Sequence, residues 1–358
     1  MLRFCDSFDA HSTIATRYTV VATSDAPTIA TSNARTGSNC MQFANANANA
    51  TWVRYASRSI GANVAEVIVG FAFYMTQLPW SGDALRGQLV SFIDSATKQC
   101  EVRVNSSGQI AAYNASGTLV GTSAETLPLN STYVFIEVRA LIHASAGQIE
   151  VRVNGAVWLN LTGLDTLATA NVYCNVITFG NFTGMGTGTT QPILGFRVDD
   201  LYIIDGDDNS DGLDDFIGDH SIRAFLPTGD GDELDWARGG ADSGSDSGQI
   251  DETTANSDTD YLTTSTPTDQ HLSTYGDLSV GTIKAVVITP FARKDNGGAT
   301  TLLGLTKSGG TIYQTADSMT LTTGYQLGFL KFVENPDTSA PWTITEFNNA
   351  QFGFEASA

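Results

Sequence analysis

Positive charge is scarce in this sequence. Only 18 lysines and arginines stand against 38 acidic residues in 358, a formal net charge of −20. Such a chain repels phosphate through its own field, which argues against non-specific binding to nucleic acid or to an anionic membrane. Histidine is rarer still. His11, His143, His220 and His271 form no metal-ligand pair and flank no Gly-x-Ser-x-Gly elbow, so each reads as a surface or turn residue. The four cysteines, Cys5, Cys40, Cys100 and Cys174, form no Cys-x-x-Cys pair and have no neighbouring histidine, which argues against a metal–thiolate site. Cys100 and Cys174 lie in strand-like runs and read as small buried hydrophobes. Cys5 and Cys40 are either bridged, in an oxidising exterior, or free.

Other absences narrow the function. The apolar run Val67–Gly82 contains Gly70 and Pro79 and is shorter than the ~20 residues of a bilayer span, so no membrane insertion is expected. Met1–Asp9 holds no apolar leader core, which predicts a soluble chain made in the cytoplasm. No P-loop or dinucleotide fingerprint occurs, and Gly184-Met-Gly-Thr-Gly188 reads as a loop with no helix after it. A glycosidase needs two carboxylates placed as nucleophile and acid. The nearest strands, Glu101-Val-Arg-Val and Glu150-Val-Arg-Val, carry arginine where the second acid would stand. The expectation is a protein that is not an enzyme.

What is present is alternation at period two. Val134, Ile136 and Val138 oppose Glu137 and Arg139; Ile149, Val151 and Val153 oppose Glu150, Arg152 and Asn154. Such runs predict half-buried antiparallel strands with one wet face. Further strands are expected over 66–74, 87–93, 101–104, 109–113, 172–179 and 196–204, and no stretch keeps a helical period over ten residues. Asn105-Ser-Ser-Gly108, Asn114-Ala-Ser-Gly117 and Asn154-Gly155 are hairpin-type turns. The repeated string Glu-Val-Arg-Val-Asn at 101–105 and 150–154 predicts two similar hairpins in one sandwich. Asn45–Ala50 and Thr183–Thr190 read as loops, and Ala241-Asp-Ser-Gly-Ser-Asp-Ser-Gly248 as a flexible linker. A second strand-rich block follows from Leu278 to Phe354.

Residues 205–260 hold 17 acidic residues and two arginines, a local balance of −15. Within them Asp207, Asn209, Asp211 and Asp215 follow an Asp-x-Asn-x-Asp-Gly pattern with Gly212 at the turn. Oxygen ligands at alternate positions are what Ca²⁺ coordination asks for. Position twelve is Gly218 and not glutamate, which excludes an EF-hand. The alternative is a solvated acidic loop. No other cofactor is expected. Trp52, Trp80, Trp158, Tyr113 and Tyr173 are candidate platforms for a sugar, or else core and interface residues.

Several segments carry a resemblance. Tyr133–Arg139, Ile149-Glu-Val-Arg-Val-Asn-Gly155 with Trp158, Ile177-Thr-Phe-Gly180 and Phe196-Arg-Val-Asp-Asp-Leu-Tyr-Ile203 resemble a concanavalin A-like (laminin G-type) jelly roll. Phe4-Cys-Asp-Ser-Phe-Asp9, Arg35-Thr-Gly37 and Met41-Gln-Phe43 look like its opening strands. Phe216-Ile-Gly-Asp219, Leu226-Pro-Thr-Gly-Asp-Gly231, Trp236, Ile250-Asp-Glu252, Asp258-Thr-Asp-Tyr261, Arg293-Lys294 and Asn335-Pro-Asp-Thr-Ser-Ala-Pro-Trp342 resemble a block recurring in phage and prophage structural proteins. The fold expected is all-β: a jelly-roll sandwich over 1–225, an acidic extended connector over 226–277, and a smaller β-sandwich domain over 278–358 whose last loop is anchored by Pro336, Pro341 and Trp342. The resemblance implies a virion-exterior protein of tail fibre, neck or collar, or head decoration, assembled in the host bacterial cytoplasm. Its implied partners are other copies of itself, as a homotrimer, and other virion proteins. A lectin-like protein binding host-surface glycan is the alternative.

Overall fold

The computed structural model describes residues 1–49, 51–182, 190–241, 244–295 and 299–358. Most of the expected Gly/Thr loop at 183–190 lies outside the described residues, as do 242 and 243 of the expected linker. The chain divides into two compact units, Met1–Ala224 and Phe225–Ala358. No helix among the described residues is long and apolar enough to cross a membrane.

The first unit is a jelly-roll sandwich of two antiparallel sheets. The front sheet runs, in spatial order, through strands 156–164, 147–153, 134–141, 66–77, 195–205, 40–43 and 28–30, with Leu2–Asp6 also paired to 195–205. The back sheet runs through 119–122, 110–113, 97–104, 88–94, 174–181, 54–64 and 19–22. Alternation places Val69, Phe71 and Phe73 on one face, all at most 1% exposed. Phe71 meets Phe179 of the opposite sheet edge-on, with ring centres 5.2 Å apart. Phe43 stacks on Phe196 at 4.3 Å. Apolar area removed from water between the sheets is the main favourable term holding them together.

The expected wet face is not wet throughout. Glu137 is only 1% exposed. Its Oε1 accepts hydrogen bonds from the Tyr202 hydroxyl and from the Gly218 backbone N–H at 2.8 Å. Phe216 lies beneath the Arg139 and Arg152 guanidinium groups, at 4.6 and 4.0 Å from its ring centre. Residues around 215–222 thus cover the outer face of the front sheet. They are held there by buried Asp200, which accepts from the Ile222 N–H at 2.7 Å.

The Asn154-Gly155 turn behaves as its composition predicts. Both residues have positive φ, 49° and 79°, and Val153 pairs directly with Ala156. This is the geometry that matches the twist of a two-residue hairpin. One other expectation fails, and one open alternative closes. Asn47–Ala48, read as loop, pairs with Gln191–Pro192. All four thiols are free, so Cys5 and Cys40 are not bridged. Burial pushes their thiols up, to about 12 for Cys5 and about 11 for Cys40, which keeps both unreactive.

The second unit is built on a five-stranded antiparallel sheet in the order 227–234, 270–275, 351–357, 301–308, 311–320. Phe332, Trp342, Phe347, Ala350 and Phe352 form one apolar cluster, and Leu302, Met319, Leu321 and Leu330 another. Residues 226–277, expected as a connector, are part of this unit and supply two strands of its five-stranded sheet and the pair 237–240 and 260–263. The 244–248 part of the expected linker is anchored as well. Asp246 pairs with Arg238, and the Ser247 N–H donates to Asp230 Oδ1 at 2.7 Å. Of the three residues expected to anchor the last loop, Trp342 is buried while Pro341 is exposed and Pro336 partly so. A capping box between Thr343 and Glu346 then starts the short helix Ile344–Asn349.

Candidate functional site

The residues read as a calcium loop are not gathered around a common centre. Asp207 Oδ2 accepts from the backbone N–H groups of Ala65 and Glu66, at 3.0 and 2.7 Å. Asn209 offers its carbonyl to the Gly212 N–H. Asp211 accepts from the Leu2 N–H at 2.9 Å and the Leu213 N–H at 3.0 Å, and lies 3.7 Å from the Met1 amino nitrogen. Asp215 pairs with Arg139 and accepts from the Phe216 N–H. Each carboxylate pins a different piece of chain to the sandwich. Among the described residues no group of three histidine, cysteine or acidic side chains is placed to hold a metal ion. The motif has the composition of a cation loop and the geometry of a set of Asx-type staples.

The histidines also differ from expectation. His143 sits in a turn, accepting from the Ser145 and Ala146 N–H groups. His11 and His271 are buried instead, at 1% and 0% exposure. His11 lies 3.0 Å from Asp6, and His271 stacks on Phe354.

The aromatic candidates separate as well. Trp52 packs against the small cluster of Ala48 and Ile193, and Trp158 lies on the outermost strand of the front sheet. The Tyr173 carbonyl accepts from Gln99. Trp80 and Tyr113, 33 positions apart in sequence, line one cleft.

That cleft is built by a loop folding onto the back sheet. Residues 78–87 follow the front-sheet strand Glu66–Gln77 and lead into the back-sheet strand Gln88–Asp94. A β-carbon at Gly87 would lie 1.9 Å from the Val104 carbonyl oxygen, so only glycine lets the loop come so close. Asp83 caps the turn Ala84–Gly87 by accepting from the Leu85 N–H at 3.0 Å. Arg86, wholly buried, donates to the carbonyls of Ala48 and Gln191 and stands 5.7 Å from the Trp80 ring centre. The Trp80 backbone N–H donates to the Pro192 carbonyl at 3.0 Å, and its indole lies across Gly82. These contacts fix the indole while leaving it partly exposed.

The opposite wall comes from the strand Thr97–Val104 and from Tyr113. Arg103 donates from Nη2 to Glu101 Oε1, which also pairs with Lys98. Its guanidinium stacks 3.7 Å from the Tyr113 ring centre. The cavity between the walls measures about 90 Å³, lined by Pro79, Trp80, Ser81, Asp83 and Ala84 on one side and by Arg103–Ser106 with Tyr113 on the other. An aromatic face beside hydroxyls and a fixed cation is suited to orienting a small polar ligand.

The sequence signal at this site is the first of the two copies of Glu-Val-Arg-Val. In both copies the arginine pairs with the glutamate two residues before it and stacks on an aromatic ring. At Arg152 the ring is Phe216. At Arg103 it is Tyr113, which opens on the cleft.

No protein-family model and no curated protein matches the sequence. Solved structures with a similar fold include the cellulose-induced protein Cip1, 14% identical, covering 56% of this chain and 97% of that one with a TM-score of 0.41. Another is the alginate lyase vAL-1 from a Chlorella virus, 11% identical, covering 50% and 88% with a TM-score of 0.35. The alginate lyase Aly36B is 11% identical, covering 47% and 81% with a TM-score of 0.33.

Proposed function

We propose that this protein is an exterior structural component of a phage particle, carried on tail, neck or head, without enzymatic activity. The supporting observation is where the phage-like residues fall. Leu226-Pro-Thr-Gly-Asp-Gly231 runs into the first strand of the second unit's sheet. Trp236 packs against the cluster of Leu302, Met319, Leu321 and Leu330. Asn335 is fully buried, and Trp342 closes the second cluster. Most of the residues that carry the resemblance thus help to build this unit, while Phe216-Ile-Gly-Asp219 belongs to the first. Homotrimerisation and attachment to other virion proteins belong to the same proposal.

Immunogold electron microscopy with antibody against this chain tests it. Label at the tail tip, neck or head surface supports the reading. Intact and disrupted particles that both stay unlabelled would end it. Light scattering at micromolar concentration tests the trimer, and a monomeric mass counts against it.

Adhesion to a host-surface glycan is a second reading, favoured by one observation: Trp80 and Tyr113 share a cleft with hydrogen-bonding groups.

A further inference from the structure

The geometry points to the cleft between Trp80 and Arg103 as a binding site for one sugar ring bearing a carboxylate, at a non-reducing end or within an acidic glycan. The first argument is shape. A sugar ring presents an apolar face of C–H groups, and a partly exposed indole held from behind is a platform for it. Trp80 is so held, by Gly82 beneath the ring, by its backbone N–H on the Pro192 carbonyl and by Arg86. The cavity of about 90 Å³ is too small to enclose a whole pyranose, so a ring would rest on Trp80 with only one edge inside.

The second argument is the count of unused donors. Arg103 uses only Nη2, toward Glu101. Its Nε is enclosed and unpartnered, while Nη1 is unbonded and not enclosed. The Trp80 indole N–H, the Tyr113 hydroxyl and the hydroxyls of Ser81 and Ser106 likewise make no hydrogen bond among the described residues. Two of these five groups can only donate, and the other three can donate. The facing acceptors are occupied. Asn105 Oδ1 accepts from the Ser107 and Gln109 N–H groups, and Asp83 Oδ1 from the Leu85 N–H. A site rich in free donors selects a ligand rich in acceptors, and a carboxylate is acceptor-only.

The third argument is charge. Of the lining residues Arg103 and Asp83 are charged, and with Arg86, Lys98 and Glu101 behind them the surroundings hold three cations against two acids. The acidity of the chain does not oppose this, because it is concentrated elsewhere. Residues 1–204 carry 13 acidic and 11 basic side chains. The site is independent of any place on a virion and is tested on purified protein.

The experiment is a calorimetric titration of the full chain with trigalacturonate and, in parallel, with neutral maltotriose. Saturable binding of the uronate, at least about tenfold tighter than the neutral sugar, is expected. Trp80→Ala, at a partly exposed position, is expected to weaken the uronate about tenfold or more. Arg103→Met is expected to bring the uronate down to the neutral sugar's affinity while leaving the neutral sugar unchanged. Circular dichroism confirms that each variant is folded. If Arg103→Met unfolds, the salt dependence of uronate binding to the unaltered chain replaces it: affinity falling with salt supports the ion contact. Equal affinity for both sugars overturns the carboxylate assignment. Absence of saturable binding at millimolar ligand, or binding indifferent to Trp80→Ala, overturns the site.

Discussion

Nε2 of His11 lies 3.0 Å from Oδ2 of Asp6, with both side chains 1% exposed. The same carboxylate receives the Tyr18 hydroxyl at 3.0 Å and the Phe8 N–H at 2.9 Å, and Arg17 stands 3.4 Å away. Four residues, Phe8, His11, Arg17 and Tyr18, are thereby gathered on one buried charge. Burial alone pushes the Asp6 carboxyl up. The His11 hydrogen bond, the Arg17 charge and the Phe8 N–H together outweigh it and hold the group below its usual range. A carboxyl lowered on folding stabilises the native state above its unfolded pKa, and that contribution is lost as pH falls through the folded value. Urea melts at successively lower pH are therefore expected to show stability falling once pH drops below about 4. Asp6→Ala should cost about 3–5 kcal/mol at neutral pH and remove much of that acid dependence. A variant within 1 kcal/mol of the original would show that the cluster carries little.

Asp199 has the opposite sign. Its Oδ2 accepts from the Arg35 and Thr36 N–H groups at 2.7 and 3.2 Å, which ties residues 35–36 to the front sheet. Burial, and then the charge of adjacent Asp200, push its carboxyl up to about 7. A raised carboxyl stabilises the fold fully below its unfolded pKa and loses that contribution as pH rises through about 7. Together with Asp6 this predicts a stability maximum on the acid side of neutrality. Thermal melts from pH 5 to pH 8 are expected to show a declining midpoint. Asp199→Asn, which does not titrate, should be less stable at pH 5 but show a shallower decline. Parallel curves for the two proteins would remove Asp199 as the cause.

Much of the fold was legible because strand alternation and Asn-Gly turns are local signals. What was missed depended on partners distant in sequence. Glu137 looked solvent-facing because nothing near it hints that residues 80 positions on will lie across it, yet Gly218 and Tyr202 bind its carboxylate. Pro227-Thr-Gly-Asp-Gly-Asp-Glu-Leu234 reads as linker because glycine and aspartate are poor strand formers. It is a strand at the edge of its sheet, where acidic residues discourage pairing with a further chain. The cleft was half legible. Trp80 and Tyr113 were both candidates, but only the approach of Gly87 to Val104 puts their loops together.

The Asn154-Gly155 turn offers a clean measurement of backbone strain. A β-carbon on Gly155 would meet nothing within 4 Å, so substitution there costs no packing. The cost is conformational, since φ is 79°. Gly155→Ala is expected to destabilise the first unit by about 1–2 kcal/mol without altering its spectrum. Gly117 sits in a different turn at φ 77° with equally open surroundings, and the same substitution there should cost a similar amount. A neutral result at both positions would mean that these turns relax away from the left-handed region.

The acidic loop at 207–215 yields the last prediction. A calcium ion there would need oxygens that already serve the chain. Asp207 Oδ2 already holds the Ala65 and Glu66 N–H groups, and both oxygens of Asp211 are taken, by Leu2 and Leu213. Asp215 would have to leave Arg139. Orphaning the half-buried N–H groups of Leu2 and Leu213 costs roughly 1–3 kcal/mol each, which weak coordination by a loop lacking a glutamate at position twelve does not offset. Millimolar calcium is therefore expected to leave the melting temperature unchanged, and a chelator to leave it unchanged as well. Asp207→Ala should instead destabilise the protein by about 1–3 kcal/mol with or without calcium. A calcium-dependent rise in melting temperature that Asp207→Ala abolishes would reverse the conclusion, because it would show that the same oxygens can leave their backbone donors and gather on an ion.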